Sequence, residues 1–144
     1  MKRFQVTTRI QAAPEVIWKI LTDAGNYPSW NTTVDRVEGS IAPGEKVTVH
    51  AKISPGRAFP VKVTEFLPAR RMVWTGGMPF GLFKGERTFT LAPQPDGSVD
   101  FSMVEEFSGL FAPLITRSIP DLQPAFDQFA AGLKGRAEKQ AVRA

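Results

Sequence analysis

Residues 13–31 read APEVIWKILTDAGNYPSWN, and this stretch decides the fold. Pro14 suits the first turn of a helix, where a missing N–H costs nothing. Glu15 follows it, where the helix dipole favours a negative charge. Val16, Ile17, Ile20 and Leu21 recur at spacings that make one apolar face. Trp18 sits off the centre of that stripe and covers its edge. Asp23-Ala-Gly-Asn26 supplies the exit, with Gly25 or Asn26 expected to take a left-handed conformation. Pro28 biases Tyr27 away from helix, and Trp30 brings a large anchor whose N–H wants a partner.

Upstream, Phe4, Val6, Thr8 and Ile10 alternate with polar residues, as in a half-buried strand. Downstream the pattern turns to strands and stays there. Val34 and Val37 lead to Gly39. After a turn at Pro43-Gly-Glu45, Val47, Val49, Ala51 and Ile53 alternate with Thr48, His50 and Lys52. A turn over Ser54-Pro-Gly-Arg57 precedes Phe59, Val61 and Val63. Another over Pro68-Ala-Arg-Arg71 precedes a short strand from Met72 to Thr75 that runs into Gly76-Gly77. Residues 78–83, Met-Pro-Phe-Gly-Leu-Phe, read as a loop by their Gly and Pro content, yet they are apolar. Such a loop folds over a pocket or meets a partner chain. Arg87 to Leu91 and Val99 to Phe107 flank Asp96-Gly97, a strong hairpin signal.

The strands stop at Gly109. Leu110 to Ile119 holds a turn or two of helix. Asp121 then caps a long helix with Pro124 in its first turn. Leu122, Phe126, Phe129, Ala130, Leu133 and Ala137 share one face, and the helix is expected to end near Gln140. Gly132 and Gly135 each weaken it by about 1 kcal/mol relative to alanine.

The order is strand, short helical segment, about six further antiparallel strands, long helix. That is an α+β fold: a curved antiparallel sheet gripping a C-terminal helix, as one domain over residues 1–144. A curved sheet wrapped round one helix leaves a cavity unless large side chains fill it. Its expected lining is Trp74, Phe89, Phe101, Met103, Phe126 and Phe129, with Phe80 and Phe83 from the apolar loop at the mouth. For each of the six, plain core is the competing reading.

Bulk properties exclude several classes. The chain has no cysteine, so it has no disulfide, thiolate ligand or cysteine nucleophile. One histidine, His50, cannot supply a metal cluster, and it lies on the polar face of its strand, where it is expected to face solvent. No apolar run reaches the ~20 residues of a membrane span. No apolar segment of signal-peptide length follows the basic N-terminus, so a cytoplasmic location is expected. The net charge of +4 comes without aromatic–basic interleaving, and nucleic-acid binding is not expected. Gly76-Gly77 lacks the lysine and helix of a phosphate loop, and no cofactor is expected.

Glu105 and Glu106 are adjacent in a strand and point to opposite sides, so they are not a facing carboxylate pair. Glu105 shares the face of Phe101 and Met103. It is either a desolvated general base, the one catalytic candidate, or a rim carboxylate paired with a cation such as Arg87. Arg87 shares a face with Phe89 and Leu91 and can meet an anionic ligand head. A bulge near Glu65 would change the side on which that carboxylate lies.

The chain resembles the START-like, helix-grip (SRPBCC) superfamily, in its polyketide cyclase/dehydrase and lipid-transport-like branch. The resemblance is carried by Ile10-Gln-Ala-Ala-Pro-Glu-Val-Ile-Trp18, Asp23 with Tyr27-Pro-Ser-Trp-Asn31, and Val37-Glu-Gly39. It continues in Val63-Thr-Glu-Phe-Leu-Pro68 with Met72-Val-Trp74, in Asp96-Gly97, and in Glu105-Glu-Phe-Ser-Gly109. It implies a deep cavity between the sheet and the C-terminal helix, and it brings no catalytic motif that maps onto these residues. Three functions follow as expectations. The first is a binding protein for a hydrophobic small molecule, lipid or polyaromatic, acting as monomer or homodimer. The second is a cyclase/dehydratase-like enzyme using Glu105 or a hydroxyl such as that of Tyr27. The third is a protein-interaction role through the 78–83 loop.

Overall fold

The structure, a computed structural model, describes residues 2–53 and 55–143, the last without its side chain. Seven strands form one antiparallel sheet: β1 (Lys2–Ile10), β2 (Val34–Gly39), β3 (Lys46–Ala51), β4 (Phe59–Leu67), β5 (Arg71–Met78), β6 (Phe83–Pro93) and β7 (Val99–Ser108). Their order across the sheet is β1-β7-β6-β5-β4-β3-β2, so the first strand joins the last and five hairpins do the rest. Helix α1 (Pro14–Leu21) and a 3-10 helix (Ala24–Ser29) follow β1. A short α2 (Ala112–Ile115), a 3-10 turn (Thr116–Ser118) and the long α3 (Gln123–Arg143) follow β7. The α+β helix-grip architecture is therefore present in full. No helix among the described residues is long and apolar enough to cross a membrane.

Helix α1 starts at Pro14 with Glu15 in its first turn, and it buries Ile17, Ile20 and Leu21. Trp18 covers the edge by packing on Phe66 at 5.2 Å between ring centroids. The exit differs from the expectation. Neither Gly25 nor Asn26 is left-handed. The Thr22 hydroxyl instead donates to the Trp18 carbonyl, and the chain rolls on into the 3-10 helix that contains Pro28. A 3-10 turn carries the chain round the corner without a positive φ.

Other boundaries also moved. Residues 78–83 are not all loop: β5 extends through Gly76-Gly77 to Met78, β6 begins at Phe83, and Met78 pairs with Phe83. Only residues 79–82 turn. Phe80 and Gly81 carry φ of 60° and 70°, as in the mirror-image turns that match strand twist. Strand β3 stops at Ala51, short of Ile53, and α3 runs past Gln140. Ser54, the first residue of the expected turn, lies outside the described residues. A register shift falls between Val63 and Glu65, at the place where a bulge would change the side of that carboxylate. His50 does not face open solvent; it is half-buried against Glu38, whose carboxyl is held below its usual range, first by Arg36 and then by His50.

The Asp121 carboxylate accepts from the backbone N–H of Gln123, which starts α3. Gly132 has a packing reason that its helix propensity hides. A Cβ there would lie 2.1 Å from the Trp30 carbonyl oxygen. The helix therefore crosses the Trp30 corner at a distance only glycine permits.

Candidate functional site

Side chains on the inner face of the sheet change character along the strands. At one end, called here the closed end, Ile10, Leu91, Val99, Phe101, Phe89 and Met72 are fully buried against α1 and α3. Phe129 is the hub of this region. Its ring lies 5.1 Å from Trp30, 6.0 Å from Phe89, 6.2 Å from Phe101 and 6.3 Å from Tyr27. Trp74 joins through Phe89 at 4.8 Å. Tyr27 donates to the Leu21 carbonyl at 2.5 Å. Burial raises its pKa far above the usual phenol range, against a smaller opposing pull from Arg87. The phenol stays neutral with its proton committed to the backbone, which removes it from proton transfer.

Toward the other end the same face opens. One rung of the ladder runs Val63, Trp74, Arg87, Glu105, Phe4 across five strands. Directly paired side chains on one face lie within contact of each other. Arg87 Nε donates to Glu105 Oε1 at 2.9 Å, with the side chains 23% and 16% exposed. The guanidinium also stands over the Phe126 ring, 4.9 Å from its centroid. Glu105 is thus a carboxylate on the inner face paired with Arg87, as one of its two expected readings has it. Glu106 points the other way, toward Arg3.

The next rung outward pairs Gly76 with Gly85, and Gly85 with Phe107. A Cβ on Gly85 would touch the Phe107 ring at 3.3 Å, and one on Gly76 would meet the Pro60 carbonyl at 2.8 Å. Two paired glycines here let the β4 backbone approach Gly76 and the Phe107 ring lie over Gly85. Phe83 stacks on Phe107 at 5.9 Å and 13°, one layer further out. An open groove of about 460 Å³ runs along the β5–β6 hairpin; Lys62, Thr64, Thr75 and Lys84 place it mainly on the outer face of the sheet, away from α3, with Met78 and Phe83 at its end. A second cleft of about 270 Å³ lies behind the closed end, among Lys19, Asp23, Trp30 and Arg136.

The β5–β6 hairpin end and the segment before α2 form a double lip. Leu110 and Phe111 donate backbone N–H bonds to the Gly81 and Leu82 carbonyls, at 3.0 and 2.7 Å. These bonds tie the β5–β6 hairpin to the segment before α2. The lip displays Phe80, 95% exposed, with Leu110, Phe111, Leu114 and Met78 around it.

The sequence-predicted lining therefore divides. Trp74, Phe89, Phe101, Met103, Phe126 and Phe129 are buried and packed on one another. Arg87 and Glu105 form a half-buried pair on the next rung, Phe83 stacks on Phe107, and Phe80 projects from the hairpin tip. Sequence reasoning missed Phe4, Phe107 and the Gly76/Gly85 pair. The glycine pair was within reach: centring a hairpin on residues 79–82 sets Gly76 opposite Gly85. Among the described residues, no group of three or more His, Asp or Glu side chains converges to hold a metal.

The fold has relatives of known structure. A protein from Mesorhizobium loti superposes with a TM-score of 0.73 at 23% identity, covering 96% of this chain and 98% of its own. A START superfamily protein from Mycobacterium smegmatis gives 0.69 at 16% identity, with the same coverage. A norcoclaurine synthase point mutant from Thalictrum flavum, crystallised with a transition-state analogue, gives 0.71 at 13% identity and covers 96% and 95%. At these identities the likeness concerns the fold. No functionally curated protein matches the sequence. The family model described as polyketide cyclase/dehydrase and lipid transport matches residues 1–138, nearly the whole chain, and the protein belongs to that family.

Proposed function

We propose that the protein binds a hydrophobic small molecule at the open end of the grip, between the sheet and the start of α3. The observation that carries this reading is the half-buried Arg87–Glu105 pair on the inner face of the sheet, set between packed aromatics and an exposed apolar lip. That pair is neither fully solvated nor fully buried. Ligand sites combine apolar walls with a few placed polar groups in this way. Phe83, Phe107, Phe126 and Phe4 supply the walls, Arg87 and Glu105 the polar groups, and Phe80 with Met78 the lip. Trp74, Phe89, Phe101, Met103 and Phe129 form the packed floor beneath.

Family membership and fold support a hydrophobic ligand of the lipid or polyketide kind. A non-catalytic role accounts best for Glu105. Its Oε1 already accepts a hydrogen bond from Arg87 Nε at 2.9 Å, which ties the carboxylate to the guanidinium. The test is native mass spectrometry of the protein as purified, with an organic extract analysed beside it. A bound mass of a few hundred daltons, lost in a Gly85→Leu variant that crowds the Phe107 wall, is the expected result. An unliganded mass together with no uptake of a fluorescent fatty acid or polyaromatic probe overturns the reading.

A further inference from the structure

The lip is a projecting apolar tip. Phe80 is 95% exposed at the turn between β5 and β6, at a φ of 60° that phenylalanine adopts only under strain. Leu110 and Leu114 are 75% and 67% exposed, with Met78 and Phe111 partly exposed. The backbone bonds from Leu110 and Phe111 to Gly81 and Leu82 hold the two segments side by side, so these side chains form one surface. A single exposed apolar residue needs no explanation, but a cluster of them marks an interaction site.

The charges within these two segments have one sign. From Gly76 to Gly85 the single charged residue is Lys84, and from Ser108 to Pro120 it is Arg117. Lys62 joins Lys84 in the wall of the outer-face groove, which reaches Met78 and Pro79. Three cations therefore stand behind the apolar tip. Glu86 pairs with Lys84 at 3.1 Å, but the two side chains are 53% and 42% exposed, and such a pair holds weakly. An apolar tip with cations at its base matches an anionic bilayer: the apolar side chains enter the acyl boundary while lysine and arginine stay at the phosphates. A second copy of the chain would instead bring the same cations against each other. Five side chains also fall well short of the about 20–30 residues on each side of a stable protein interface.

We propose that the protein docks on anionic membrane surfaces by inserting this lip, with Phe80 as the deepest side chain and Lys62, Lys84 and Arg117 at the lipid phosphates. The inference goes beyond ligand binding and does not rest on it. It gives the strained phenylalanine a reason to stand where glycine would be more stable.

The test is flotation of the intact protein with vesicles of phosphatidylcholine alone and of an equal mixture of phosphatidylcholine and phosphatidylglycerol. The wild type should float with the mixed vesicles and stay behind with the neutral ones. Phe80→Gly, which relieves the backbone strain and so keeps the fold, should lower the partition coefficient about tenfold, part of what full burial of the side chain is worth. Lys62→Gln with Lys84→Gln should lower it by a similar factor at low salt and little at high salt. Phe80→Trp adds an indole at the tip, while Trp18, Trp30 and Trp74 are buried. Its emission should shift to the blue on the mixed vesicles, and lipids brominated along the acyl chain should quench it. Equal partition of wild type and Phe80→Gly, binding without the blue shift, equal affinity for neutral and mixed vesicles, or binding to neither each overturns the inference. A concentration-dependent dimer that Phe80→Gly abolishes overturns it too, and assigns the lip to a second copy of the chain.

Discussion

The closed and open ends of the grip use the same strands and the same helix for opposite purposes. At the closed end the inner face of β5 and β6 offers Met72, Phe89 and Leu91, and α3 answers with Phe129 and Leu133, all buried. Two rungs further along the same strands the face offers an ion pair and two glycines. One end spends its side chains on stability. The other carries a half-buried ion pair and two glycines in place of large apolar side chains. A sheet that grips a helix can separate the two tasks because the alternation of a strand keeps every second residue on one face. Position along the strand then decides whether a residue packs or waits.

The sharpest way to break this comparison is to cut into both ends and compare. Phe129→Ala should cost about 3–5 kcal/mol in urea unfolding, the range for a large aromatic lost from a core. A loss under 1 kcal/mol would mean that the closed end is not the stabilising half. Arg87→Met leaves Glu105 half-buried and unpaired. It should cost about 2 kcal/mol, below the 3–5 kcal/mol of a fully buried pair. Adding Glu105→Gln should recover most of that loss, as a double-mutant cycle would show.

Tyr27→Phe probes the closed end through pH. At neutral pH it removes the bond to the Leu21 carbonyl and should cost about 1 kcal/mol. Because burial raises the phenol pKa, the folded state holds its proton more tightly than the unfolded chain does. The wild type is therefore at full stability below the ordinary tyrosine range, and it loses stability as pH rises above about 10. The variant should lack that alkaline loss. Tyr27 is the chain's single tyrosine, so absorbance at alkaline pH reads it alone. Phenolate appearing before unfolding would contradict its burial.

Phe80→Gly is the mildest change and acts at the lip. A phenylalanine at φ 60° is strained, and glycine is not. The variant should gain about 0.5–1 kcal/mol in stability while its rate of ligand uptake falls, measured by stopped-flow fluorescence. Unchanged uptake would remove the lip from the ligand's path.

Much of this molecule was legible in its residues. Pro14, the alternating strands, Asp96-Gly97 and the Asp121 cap are local signals, and each governs a local outcome that the structure reproduces. The opposite facing of Glu105 and Glu106 follows from the same alternation. The extended β5–β6 hairpin was not legible as strand. Its Gly and Pro content argues for a loop, and only pairing along both flanks overrides that propensity. The exit from α1 failed for the same kind of reason: Asn26 and Gly25 can adopt a left-handed turn, but the Thr22 and Pro28 geometry did not need one.

The sequence by itself determined the fold class, the strand order along the chain, the faces of the regularly alternating strand residues and the family. These depend on periodicity and turn chemistry, which act over a few residues. Only the tertiary structure decided which inward-facing aromatics pack against each other and which border open space. It also decided that Gly132 lets the Trp30 carbonyl approach, that Arg87 meets Glu105, and that Trp74 keeps an unmet N–H. Each of these is a meeting between elements far apart in the chain. Its geometry is fixed by how the sheet curves round α3, and no local pattern encodes that curvature.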